Sequence, residues 1–127
     1  MGNSKGPGAR ADLKKNRLYI TIAGKLNKKD LDSLYTDIRF CVADLQPGFT
    51  VINDLSECTL AALSGLPVFK KITDHLISHE VSEVVRIVDK RRIVFKQILN
   101  ASAKMSGYTP VYVESFEEAE ELLDKTS

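Results

Sequence analysis

Four short stretches rich in β-branched residues punctuate this chain, at intervals that each leave room for one helix. They are Leu18-Tyr19-Ile20-Thr21-Ile22, Phe49-Thr50-Val51-Ile52, Val84-Val85-Arg86-Ile87-Val88 and Pro110-Val111-Tyr112-Val113. Their centres, near residues 20, 51, 86 and 112, lie 31, 35 and 26 residues apart. A hairpin joins antiparallel strands in a few residues, whereas a crossover containing a helix returns the chain parallel to its starting direction. Such crossovers are right-handed almost without exception, because a twisted strand feeding a right-handed helix packs back onto the sheet only one way. The spacing therefore predicts a mainly parallel sheet. Ala11-Asp12-Leu13, joined to the first of these strands by the polar turn Lys14-Lys15-Asn16-Arg17, adds a short antiparallel partner. The expected fold class is α/β, with a mixed, mainly parallel sheet of four to five strands and about four helices.

The segments between the strands carry helical signals. Asn27, with Asp30 three residues on, is placed to cap the first helix. Leu31, Leu34, Tyr35, Ile38, Cys41, Val42 and Leu45 then fall on one stripe, so Cys41 reads as a packing residue and Phe40 points the opposite way. Pro47-Gly48 ends that helix. In the second helix Leu66, Phe69, Ile72, Thr73, Leu76 and Ile77 share a face. Asp89 is the expected cap of the third helix, with Val94, Phe95, Ile98, Ala101 and Met105 on its buried side and Gly107 at its end. Ser115 and Glu118 form a capping box for the last helix, Phe116 to Lys125, whose early glutamates suit the positive end of the helix dipole.

At 127 residues, 43% apolar and 28% charged, the chain can bury one core without staples. Residues 1–10 hold three glycines and a proline and almost nothing apolar, so they are expected to form a disordered tail ahead of a domain over 11–127. Eighteen basic and seventeen acidic residues leave a net charge of +1, without the global basic field that nucleic-acid binding draws on. No apolar run approaches the roughly 20 residues that span a bilayer. The first residues lack the hydrophobic segment of a secretory signal, and Gly6 stands where a myristoylation signal has Ser or Thr. Two cysteines without such a signal read as reduced thiols of a cytosolic protein.

The stretch Asp54-Leu55-Ser56-Glu57-Cys58-Thr59-Leu60-Ala61-Ala62-Leu63-Ser64-Gly65-Leu66 is too long and too apolar for an ordinary surface turn. It leaves the second strand and arrives at the second helix. Ser64 as N-cap places Gly65, Leu66 and Pro67 in the first turn, where proline forfeits no hydrogen bond. Backbone N–H groups without intrahelical partners, together with the dipole, favour negative charge at that position. A phosphate on Ser64 would bring roughly −1.5 to −2 charge to the surface there. The plain alternative is a capping residue worth ~1 kcal/mol.

Asp54-Leu55-Ser56 at a strand end and Ser64-Gly65-Leu66 at a helix start resemble the signature of the STAS family, the sulphate-transporter and anti-sigma-factor-antagonist domain. Two further pieces agree in order. Ile22-Ala23-Gly24-Lys25-Leu26-Asn27 resembles the family's entrance to its first helix, and Met105-Ser106-Gly107 with Val111 to Leu123 resembles its closing strand and acidic helix. The resemblance covers about residues 16–125. One departure lies at the signature itself, where Ala62-Leu63 replace the Asp-Ser that precedes the family's phosphorylated serine. The resemblance implies a non-enzymatic regulatory module of the bacterial cytoplasm, without a cofactor. It implies binding to a protein partner, such as an anti-sigma factor or a kinase, through the 54–64 segment and the second helix. The contacting residues would be Asp54, Ser56, Cys58, Thr59, Ser64, Gly65 and Val68, with phosphorylation of Ser64 weakening the complex. A small-molecule, lipid or anion-binding domain of the same fold is the alternative.

Other chemistry is thinly supported. His75 and His79 stand four apart on the second helix, a spacing that can hold a metal, but no third ligand accompanies them and they read as solvated. Cys58 lacks any nucleophile signature around it, and no phosphate-cradling glycine loop is present. Lys90-Arg91-Arg92 is the sharpest charge cluster. It follows a parallel strand, so it belongs to the sheet edge where open α/β sheets bind ligands, and it is a candidate anion site. Phe40, Val68 and Ile93 lie off their helices' main stripes and are candidate contact residues.

Overall fold

The computed structural model describes residues 8–24, 26–59, 66–105, 107 and 109–126. Strands β1 (Gly8–Asp12), β2 (Arg17–Thr21), β3 (Thr50–Asp54), β4 (Glu83–Ile87) and β5 (Val111–Val113) form one sheet in the order β1-β2-β3-β4-β5. β1 runs antiparallel to β2, and every later neighbour is parallel. The intervening helices are α1 (Lys28–Ala43), α2 (Leu66–Ser78) and α3 (Ile93–Met105), and α4 (Phe116–Thr126) closes the chain. The fold class is the mixed, mainly parallel α/β sheet that the spacing predicts.

Alternation along the strands divides the core in two. Leu18, Ile20, Val51 and Val84 face α1, α2 and α3, while Tyr19, Ile52, Val85 and Ile87 face Ala119 and Leu123 of α4. Central strands covered on both faces read as continuous apolar runs, which is why these stretches stand out in the sequence. One polar side chain ties the layers together. Arg86, buried on β4, donates through Nη1 to the Leu99 carbonyl at 3.2 Å and to the Tyr112 hydroxyl at 3.1 Å, joining α3 and β5 to the central sheet.

The caps follow local chemistry. Asn27 Oδ1 accepts from the Asp30 N–H at 2.8 Å and Asp30 Oδ2 accepts from the Asn27 N–H at 3.3 Å, a reciprocal box. Ser115 Oγ accepts from the Glu118 N–H at 3.1 Å. Asn27→Ala is expected to lower stability by about 1 kcal/mol. The check is a shifted urea midpoint at an unchanged slope, and an unmoved midpoint would mean that the cap contributes nothing.

Four details differ from the expectations. β1 begins at Gly8, so residues 8–10 of the expected tail belong to the sheet; residues 1–7 lie outside the described residues. In α3 the buried stripe is Phe95, Leu99 and Ala103, with Val94 and Ala101 exposed. In α2, Val68 is buried with Ile72, Thr73 and Leu76, and Ile77 is exposed. The reason is shared: Ile93-Val94-Phe95 and Leu66-Pro67-Val68-Phe69 are unbroken apolar runs, and periodicity cannot choose which member of a run turns inward. Asp89 does not cap α3. Its Oδ1 accepts from the Arg91 N–H at 2.8 Å, forming a turn ahead of a helix that begins at Ile93. Cys41 does pack against the core, half-buried.

Candidate functional site

Parallel strands bring the connections that follow β2, β3 and β4 to one edge of the sheet, where backbone groups emerge beyond the last ladder bonds. The connection after β3 is folded tightly against its neighbours. The Ile22 N–H donates to the Asp54 carbonyl at 3.1 Å and the Gly24 N–H to the Glu57 carbonyl at 2.9 Å, and a single parallel bridge joins Gly24 to Cys58. Gly24 adopts φ +72, a conformation that L side chains rarely take, and this turns the chain from β2 toward α1. Thr59 Oγ1 donates to the Gly24 carbonyl at 3.3 Å. On the other side, the Leu55 N–H donates to the Ile87 carbonyl at 3.1 Å.

This pairing sorts the side chains of 54–59 into two sets. Leu55 and Cys58 point into the core, with Cys58 only 2% exposed. Asp54, Ser56 and Thr59 are half-buried and Glu57 is exposed. Asp54 Oδ1 accepts both the Ser56 N–H at 3.0 Å and the Ser56 hydroxyl at 2.6 Å. An aspartate bonded to the backbone two residues on is a self-contained turn, which explains why Asp-Leu-Ser stands at this strand end.

Of the contacting residues expected from the sequence, Asp54, Ser56 and Thr59 are brought together on this edge. Cys58 is not a contact residue. Burial pushes its thiol up to about 11, only partly offset by the Arg92 charge, and at neutral pH it is an inert thiol. Val68 is likewise withdrawn, because it belongs to the packed stripe of α2. Ser64 and Gly65 lie outside the described residues. Glu57, exposed on the same edge, is absent from the expected contact set; the alternation of apolar Leu55 and Cys58 with polar Asp54, Ser56 and Glu57 is its signal in the sequence.

Lys90, Arg91 and Arg92 sit on the same edge, as expected, but do not converge as three free cations. Arg91 Nη2 lies 2.7 Å from Asp89 Oδ2, and this hydrogen-bonded pair holds the Asp89 carboxyl down to about 2. Arg92 stacks its guanidinium 4.0 Å over the Phe95 ring, and its Nη1 donates to the Leu55 carbonyl at 3.4 Å. That contact fastens the start of α3 to the connection after β3. Lys90 is exposed.

His75 and His79 are elsewhere, between α1 and α2, in a cleft of about 370 Å³ lined by Thr36, Arg39, Phe40, Ala43 and both histidines. They are not simply solvated. His75 Nε2 is buried, its ring meets Tyr35 edge-on at 6.1 Å, and the two imidazole centroids are 4.2 Å apart. Burial first, then the charges of His79 and Arg39, hold the His75 imidazole below the usual histidine range. Among the described residues no group of three or more His, Cys, Asp or Glu side chains is placed to hold a metal ion, and no helix is long and apolar enough to cross a membrane. Compared with models of known protein families and with curated proteins, the chain matches none.

Proposed function

We propose that this chain is a STAS-like regulatory domain of the cytoplasm, without enzymatic activity, whose protein partner docks on the sheet edge formed by Asp54–Thr59 and on the start of α2. The observation that carries this reading is the connection after β3. Its apolar members, Leu55 and Cys58, anchor it, and its polar members, Asp54, Ser56, Glu57 and Thr59, are held at the surface by the Gly24 bridge and the Asp54–Ser56 turn. A preorganised polar ridge loses little freedom on association, which is what a protein-recognition element requires. Ser64 follows the ridge by five residues in the sequence, and added negative charge there is proposed to act on partner binding. An anti-sigma factor or a kinase is the partner class that the family resemblance implies.

The experiment uses a partner captured by pull-down and measured by titration calorimetry. Ser64→Asp is expected to weaken binding by roughly ten- to hundredfold, and Ser64→Ala by much less, because new charge is the signal and the lost hydroxyl is not. Equal affinities for the two variants would reduce Ser64 to a structural residue and remove the switch. Unchanged affinity in Glu57→Lys would remove the ridge as the docking surface.

A further inference from the structure

Ile93 and Val94, the first residues of α3, are 61% and 63% exposed. These adjacent branched aliphatics stand apart from the buried stripe of the helix, which among its described side chains is Phe95, Leu99 and Ala103. Their surroundings are basic. Lys90, Arg91 and Arg92 precede them and Lys96 follows one turn on. Acidic groups on this edge include Asp89, which is engaged by Arg91, Glu114, which acts on Arg91 through space, and Asp54 and Glu57 of the connection after β3. Arg91 is 85% exposed but has its charge offset by the pair with Asp89, and Arg92 is held by the Leu55 carbonyl and the Phe95 ring. The outward charge is therefore carried by exposed Lys90 and Lys96, the second with its Nζ 5.1 Å from the centre of the Tyr112 ring.

We propose that this turn, Lys90 to Lys96, is a weak docking surface for an anionic phospholipid bilayer, with Ile93 and Val94 entering the headgroup boundary and the two lysines at the lipid phosphates. Three features favour a bilayer over a protein. The groove beside the pair, lined by Arg91 to Phe95, has a volume of about 260 Å³. Two exposed apolar side chains fall far short of the roughly 20–30 residues a side that a specific protein complex buries. A bilayer asks for no complementary shape, only apolar tips ringed by positive charge. Finally, lysine is a compact charge on a flexible stem, suited to a diffuse anionic surface, whereas a defined phosphate pocket calls for the arginine forks that this fold uses internally. The proposal is independent of the protein-partner reading, since it uses none of Asp54–Thr59 or Ser64.

The test is co-sedimentation of the full chain with phosphatidylcholine vesicles with and without phosphatidylserine. Binding is expected only with phosphatidylserine, and it should fall by about tenfold as salt rises from about 0.05 to about 0.5 M. Lys90→Gln with Lys96→Gln is expected to lose about thirtyfold, corresponding to ~1 kcal/mol per lysine at such a surface. Ile93→Ser with Val94→Ser should lose about tenfold or more, since both tips leave the boundary. Phe40→Ser, at an aromatic that is 72% exposed on α1, serves as the control and should bind as the parent does. All variants change exposed side chains, and unaltered thermal unfolding confirms that each is folded. Absence of phosphatidylserine-dependent sedimentation at low salt overturns the proposal, as does equal binding by the parent and both double variants. If the Ile93/Val94 variant keeps its vesicle affinity but loses a captured protein, the patch is a protein interface and the proposal fails.

Discussion

Arg17→Ala is expected to cost about 3 kcal/mol of stability, several times the loss of a helix cap. Arg17 is 1% exposed, yet it carries a full charge. Its Nε donates to Thr50 Oγ1 at 3.0 Å, and its Nη1 bonds Glu120 Oε1 and, at 3.0 Å, Asp124 Oδ1. The Tyr19 hydroxyl donates to the same Glu120 carboxylate at 2.9 Å. Ala119 and Leu123 are the fully buried apolar side chains of α4, so this network is a large share of what seats the helix on the sheet. Removing one partner of a buried pair costs roughly 3–5 kcal/mol, because the remaining charge is left poorly solvated. The lower end applies, since Lys15 Nζ still reaches both carboxylates at 3.6 Å and Asp124 is half-exposed. Urea unfolding measures the loss; a change below about 1 kcal/mol would mean the network is only a surface ion pair.

The same network sets an acid dependence. The hydrogen bond from Arg17, with a further contribution from Lys15, holds the Asp124 carboxyl below the usual range. A carboxyl with a depressed folded value binds protons more readily in the unfolded chain. Its contribution is therefore present above about pH 4 and lost as pH falls through the folded value. Arg17→Ala should show a flatter stability profile in that acid window, and identical profiles would detach Asp124 from the effect.

Thiol labelling under native conditions should find Cys41 first, with Cys58 slower by about a hundredfold or more. This inverts the order that their positions in the sequence suggest, with one cysteine in a helix stripe and the other in a connection. Cys58 lies beneath the ridge with its thiol pushed up to about 11 by burial, so about one molecule in ten thousand carries a thiolate at pH 7. A reagent also has to wait for the segment to open. Cys41 is half-buried at the rim of the core, its thiol raised first by burial and then by Asp37 and Asp44, but it can be reached without unfolding. Mass spectrometry of partially alkylated protein reads the order directly. Comparable rates at the two sites would show that residues 55–58 detach readily from Gly24, and would remove the rigid ridge on which the proposed function rests.

What local chemistry determines was legible in the residues alone. Strand spacing defined the parallel sheet, Asn27 with Asp30 and Ser115 with Glu118 marked helix starts, and the stripe from Leu31 to Val42 marked the packed side of α1. Each of these signals acts within a few residues, or repeats with a fixed period, so sequence order preserves it. The tertiary structure decided what depends on distant partners. It left Val94 outside and turned Leu99 inward, since only the sheet and α2 determine which apolar member of the helix has somewhere to go. It buried Arg17, which reads as the last residue of a polar turn, because the carboxylates that compensate it lie more than a hundred positions away. Cys58 went under the surface for the same reason: the bridge to Gly24 is made between two crossovers, and burial is a property of what covers a residue, which the residue itself does not encode.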